Sequence, residues 1–303
     1  MQLTGWVNDP QAVDEYLGKN PHPIFGATAA SLKDTGRGKT VLLHKIVASV
    51  LGYFPIYLQQ IGDCVSFGWA QSIDAYKCVQ IAIQKQNYDF KAPTATEAIY
   101  GSSRVEIGRG RLGNQDGSCG AWAAEAVQRY GTLLRQTYQV GANTVDLRKY
   151  SGQRAKQWGA PRAGLPDWLE PTSRQHPVRT VSLIRTYEEA RDAIANGSPV
   201  PVCSSIGFVN VRDREGFAKP GPRWDHCMYF VAVDDAYRRP GLLCVNSWGP
   251  NWISGPIRLD QPPGSFWVDA DVVNRMLAMN DSYAISGYEG FPKLTDAVVN
   301  MFI

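Results

Sequence analysis

The sequence predicts an α+β protein in two lobes, a helical first half and an antiparallel β-rich second half. Three observations carry that expectation. Residues 64–86, CVSFGWAQSIDAYKCVQIAIQKQ, are apolar on nearly all sides for about five turns without a proline, the pattern of a helix buried in a core. Beyond Gly197 the period shortens, and PVPVCSSIGF, HCMYFVAV and GLLCVNSW read as strands rich in Val and aromatics and bounded by Gly, Pro and Asp. The helical and strand-like runs are segregated rather than alternating, which separates α+β from α/β and puts a seam between the halves.

The long helix has Asp63 where an N-cap belongs. A second helix, AWAAEAVQRYG, follows the turn-rich NQDGSCG and ends at Gly131, and a third, TYEEARDAIANG, ends at Gly197; a glycine is a natural stop in both. Residues 1–55 carry the turn signals NDP, NPHP and TGRGKT ahead of VLLHKIVASVLGYFP and read as an irregular N-terminal arm. Within them DTGRGKT ends like a phosphate-binding loop but has Lys33 where the first glycine is needed. Residues 56–280 form the main domain, helical over about 56–170 and β-rich over about 171–280, with 140–180 loop-like; residues 281–303 read as a C-terminal tail.

A chain of 303 residues can bury a large core. The net charge of +3 is spread over mixed Lys, Arg, Asp and Glu, without the basic runs of nucleic-acid binders, and no stretch approaches 18 uninterrupted apolar residues. Neither a nucleic-acid nor a membrane partner is expected. The N-terminus lacks the charged start and apolar run of a signal peptide, which favours a cytoplasmic or virion-associated protein with reduced thiols. The six cysteines lie far apart, with no CxxC pair and no spacing suited to zinc, so no metal or organic cofactor is expected.

Cys64 opens the long helix, where unpaired N–H groups favour an anion and lower a thiol's pKa; the competing role is that of a small buried apolar residue. A base decides between them. Of the four histidines, only His226 starts a strand. HCMYFVAV and LLCVNSW form a hairpin around DDAYRRPG, and a loop centred near Ala236 sets His226 opposite Asn246, within reach to fix the imidazole's tautomer. Trp248 follows at once in NSWG.

A Gln…Gly-Asp-Cys opening a helix, Asp-His heading a strand and CVNSWGPNW some twenty residues later resemble the papain-like cysteine peptidases. DGSCGAWAAEAVQRYGTL is similar to that family's substrate-pocket segment and following helix, and GSFWVDADVVNRML to its closing strand and turn. The resemblance implies Cys64 as nucleophile, His226 as base, Asn246 as orienter, Trp248 as a shield, and Gln59 or Gln60 with the Cys64 N–H as the oxyanion hole. It also implies a pocket along Gly117, Ser118, Cys119 and Gly120, and a peptide or protein substrate. Two positions depart from the family: Leu58 stands where its oxyanion glutamine usually is, and Val65 where a tryptophan usually follows the nucleophile. Aligning on Trp69 instead would put Gly68 at the nucleophile's place and leave Cys64 structural. Two rival functions stay open, an assembly protein of virion type built on this fold through its arm and tail, and an amidase or cell-wall peptide hydrolase with the same Cys-His pair.

Overall fold

The computed structural model describes residues 3–29, 32, 36–83 and 89–286. Helix α1 (Pro10–Lys19) starts at Asp9, whose carboxylate accepts the Ala12 N–H, with proline in its first turn. After the short α2 (Phe25–Thr28), strand β1 (Thr40–Leu42) runs straight into α3 (Leu43–Leu51), which ends at a left-handed Gly52. The central helix α4 (Cys64–Ala82) is buried over most of its length. Next come α5 (Thr96–Gly101), continued by a wider π-type stretch over Ser102–Ile107, and α6 (Gly120–Arg129). A hairpin of β2 (Thr137–Val140) and β3 (Asn143–Asp146), then α7 (Gly152–Trp158) and α8 (Glu170–Ser173), complete the first half.

The second half is strand-rich: β4 (Thr180–Leu183), α9 (Tyr187–Ala195), β5 (Val200–Ser204), β6 (Phe208–Arg212), β7 (Ala218–Pro220), β8 (His226–Asp234), β9 (Gly241–Val245), β10 (Ser265–Asp269), α10 (Ala270–Leu277) and β11 (Tyr283–Ser286). Strand β8 is the spine. On one side it pairs first with β5 and then with β1; on the other it pairs with β9, which pairs in turn with β10. All nine residues of β8 are buried, because helices cover what the sheet does not. Helix α4 lies against β8 at Gly68, where an added Cβ would come within 2.7 Å of both Cys227 Sγ and the Met228 carbonyl oxygen. The absent side chain lets helix and strand touch.

Three expectations change. The expected irregular arm over residues 1–55 holds regular elements: α1 contributes Ala12, Val13 and Tyr16 to the core against α6, and β1 joins the main sheet by pairing with β8. The turn signals were real, but they punctuate short elements. The 140–180 stretch holds a hairpin and two helices, and β11 pairs with β4, so the folded chain runs past residue 280. Lys33 and residues 287–303 lie outside the described residues.

Gly68→Ala should force α4 off β8 and lower stability by about 1–3 kcal/mol, the cost of overpacking a filled core. Denaturant unfolding at equilibrium would measure it.

Candidate functional site

The chain brings Cys64, His226, Asn246, Gln59 and Trp248 together where the first turn of α4 meets the start of β8. Cys64 is buried, and its Sγ accepts the Cys227 N–H at 3.4 Å. That amide is free for it because Cys227 stands opposite Cys203 in the β5–β8 ladder, and the Cys203 N–H turns away to Ser282 Oγ. Gly68, the nucleophile position of the alternative alignment, lies one turn deeper against Cys227 Sγ with no room for a side chain.

His226 Nε2 meets Asn246 Oδ1 at 2.8 Å, and that oxygen also accepts the Ser247 N–H at 2.7 Å. The hairpin register differs from the expected one. Tyr229 pairs with Val245 and Phe230 with Cys244; a bulge then shifts the ladder, and β9 ends before Asn246. Asn246 therefore reaches His226 from beyond the strand end rather than from directly opposite. Counting on from Tyr229–Val245 puts Trp248 opposite His226, in keeping with rings 4.5 Å apart and tilted by 31°. Trp224 and Trp252 pack edge-on against Trp248. His226 Nδ1 has no hydrogen-bond partner.

The two glutamines part company. Gln59 is buried, its Oε1 accepting the Ser247 hydroxyl at 2.6 Å and its Nε2 donating to the Ile61 carbonyl at 2.8 Å. Gln60 is exposed, and its Oε1 accepts the Gly152 N–H. Asp63 does not cap α4 with its side chain; its Oδ2 takes the Tyr150 hydroxyl at 2.8 Å, while its backbone carbonyl accepts Ser66 Oγ and the Phe67 N–H. Burial pushes Asp63 well above the usual carboxylate range, which favours the neutral acid.

Ser118 and Asp225 offer main-chain groups from the two lips, and a segment that the sequence did not bring to notice takes them. Residues 3–7, LTGWV, cross the site as an extended strap. Ser118 N–H donates to the Gly5 carbonyl, Val7 N–H to the Ser118 carbonyl, and the Gly5 and Trp6 N–H groups both to the Asp225 carbonyl. Trp248 Nε1 holds the Leu3 carbonyl at 2.7 Å. A Cβ on Gly5 would overlap the Gly62 carbonyl oxygen, one on Gly62 would come 2.5 Å from the Thr4 carbonyl oxygen, and one on Gly117 2.6 Å from that of Gly5. Strap, nucleophile turn and pocket segment thus touch backbone to backbone. A large aromatic next to a glycine, Gly5-Trp6, was the one sequence cue, and a weak one. Of the remaining pocket residues, Cys119 is fully buried in the same apolar cluster as Trp6, and Gly120 gives its N–H to Asp281 at 2.6 Å.

Enclosure sets the charge states. Burial drives the Cys64 thiol well above its usual value, chiefly by desolvation, reversing the lowering expected from its helix terminus. Burial likewise pulls His226 down to about 4, against the Asn246 bond that pulls it up. The covered site therefore holds a neutral thiol beside a neutral imidazole near pH 7. Among the described residues no group of three or more His, Cys, Asp or Glu side chains is placed to hold a metal ion.

No protein-family model and no curated protein matches this sequence. Among solved structures, xylellain, a cysteine protease from Xylella fastidiosa, is 15% identical with a TM-score of 0.56, covering 94% of this chain and 92% of that one. The proCathepsin B S9 from Trypanosoma congolense is 12% identical with a TM-score of 0.55, covering 96% of this chain and 87% of that one. The chain has the two-lobed α+β fold of the papain-like cysteine proteases.

Proposed function

We propose that this protein is a cysteine peptidase kept latent by its own N-terminal strap. The observation that carries it is the strap itself: an extended peptide bonded through its main chain to both lips, its Gly5 against the turn that leads into Cys64. A cleft that holds a peptide by backbone N–H and C=O groups suits a peptide substrate. With the strap displaced, Cys64 attacks the peptide carbonyl while His226 Nδ1 takes the thiol proton and later gives it to the leaving amine. Water then frees the acyl group. Asn246 fixes the ring through Nε2, Trp248 covers that bond, and the Cys64 N–H with the Gln59 amide, turned from Ile61, receives the oxyanion. The departure at Leu58 moves the glutamine by one place and leaves a buried partner, Ser247, to hold it.

The filled cleft also favours a second function, a structural protein of an assembly that retains the fold with its site closed. The two separate on whether the closed site can be opened. Iodoacetamide at about pH 6 scarcely touches an ordinary thiol of pKa about 8.5. In the intact chain Cys64 should label slowly. In Gly5→Ala, whose new methyl group cannot coexist with the Gly62 carbonyl, it should label fast, and adding His226→Ala should abolish the gain. Slow labelling in an opened cleft would sink the peptidase and leave the assembly role.

Two further outcomes follow from the geometry. Gln59→Ala in the opened protein should lower kcat by about 10²–10³, the usual loss for one oxyanion donor, with little change in KM. By NMR, His226 should titrate near about 4 in the intact chain and return toward 6.5 in Gly5→Ala. A depressed imidazole stabilises the closed form fully above 6.5 and loses that contribution as pH falls toward about 4. Asp281 acts with the opposite sign: burial raises it to about 7, so its contribution fades as pH climbs through that value. The imidazole signal is therefore a cleaner reporter than the melting temperature.

A further inference from the structure

About 20 Å along α4 from Cys64, counted at the helical rise, the second half of that helix forms one wall of a cavity of about 710 Å³. Ile73, Tyr76, Val178 and Ile285 make a buried floor, and Phe90 and Leu134 stand half-buried at its sides. The Tyr76 hydroxyl is taken up by Ser286 Oγ at 3.3 Å. The rim differs in character. Lys91 and Arg179 are exposed there, and neither has an ion pair among the described residues; Lys77, over the Phe90 ring, already meets Asp74 Oδ1 at 3.2 Å. Among the described residues of the lining Asp89 is the one acid. His176 feels the same positive field: partial burial first, and then Lys77 and Lys91, lower its pKa from the usual value. The walls offer side chains rather than main chain. The amides of α4 are bonded within the helix, and on the facing loops the Thr132 N–H goes to the His176 carbonyl, the Val178 N–H to the Val127 carbonyl and the Leu134 N–H to the Tyr138 hydroxyl.

We propose that this cavity binds a free long-chain fatty acid, with the hydrocarbon chain on the floor between Ile73 and Ile285 and the carboxylate at Lys91 and Arg179. Three features select that class. The volume lies within the range of small-ligand sites, about 300–1,000 Å³. A buried apolar floor under a cationic rim matches a molecule that is apolar along its length and anionic at one end. Walls whose N–H groups are already bonded have little to give the main chain of a peptide, in contrast to the cleft at Cys64, where Ser118 and Asp225 present main-chain groups to the strap. A neutral hydrocarbon would leave Lys91 and Arg179 unused, and a compact anion such as phosphate would leave the floor uncovered. The site stands apart from Cys64, so it does not depend on the peptidase function proposed above.

The test uses the intact full chain and dodecanoate below its micelle-forming concentration, with affinities read by displacement of the fluorescent fatty acid cis-parinarate. Dodecanoate should bind saturably and at least about tenfold more tightly than dodecanol, the scale of one charge-assisted hydrogen bond. Octanoate, four methylenes shorter, should bind on the order of a hundredfold more weakly than dodecanoate. Lys91→Glu combined with Arg179→Glu, both at exposed positions, should bring dodecanoate down to the level of dodecanol and leave dodecanol unchanged. Ala92→Trp, which fills the cavity from its wall, should abolish binding of both. If that variant fails to fold, the ligand series and the rim variant still decide. Failure of cis-parinarate and dodecanoate to bind, equal affinity for dodecanoate and dodecanol, or indifference to the rim variant overturns the proposal. A hexaglutamate peptide that binds in preference to dodecanoate overturns it as well, by making the cavity a docking surface for an acidic protein segment.

Discussion

The contact on which the rest is built is the one between α4 and β8 at Gly68. Helix and strand approach until the Cys227 sulfur and the Met228 carbonyl stand where a β-carbon would be. That approach lays the first turn of α4 against the first residues of β8, so that Cys64 receives the N–H of Cys227, the residue next to His226 in sequence. The first residue of a helix and the first residue of a strand, 162 positions apart by their numbers, become neighbours because one glycine carries no side chain. The candidate site is assembled at that meeting.

Around it the protein is closed rather than open. The strap uses main-chain bonds to Ser118 and Asp225, a hydrogen bond from Trp248 Nε1 to the Leu3 carbonyl and the buried indole of Trp6, three kinds of hold on five residues. Its effect reaches beyond steric cover. Burial of the site raises the thiol and lowers the imidazole, so both groups are held uncharged.

Much of this was legible in the sequence where local pattern and chemistry agree. The all-round apolar run of α4 and the segregated strands gave the fold class; Cys64 and His226 stood out at the starts of a helix and a strand, Asn246 by its hairpin partner and Trp248 by the NSWG motif. The hairpin register was not legible: the bulge between Phe230 and Ala232 adds a residue that no turn signal announces. Asp63 read as an N-cap because its residue type and place fit, but tertiary contact with Tyr150 claims its carboxylate. Residues 1–55 read as an irregular arm because β1 is three residues long and acquires its meaning only from β8. The strap was least legible of all, since its bonds are made by backbone, which sequence does not distinguish, and its fit depends on two glycines 57 positions apart by their numbers, Gly5 and Gly62.

The strap is tethered to the site it covers, and a tether changes the terms of competition. An inhibitor on a separate chain is diluted away, whereas a segment joined to the body through Asn8 and Asp9 to α1 revisits the cleft at an effective concentration on the millimolar scale, whatever the protein's own concentration. A free peptide must exceed that local supply, weighted by its own affinity, before it gains entry. On the peptidase function proposed above, the chain would be buffered against a dilute background of peptides and would answer only to an abundant partner, a tightly matching one, or a cut in the tether.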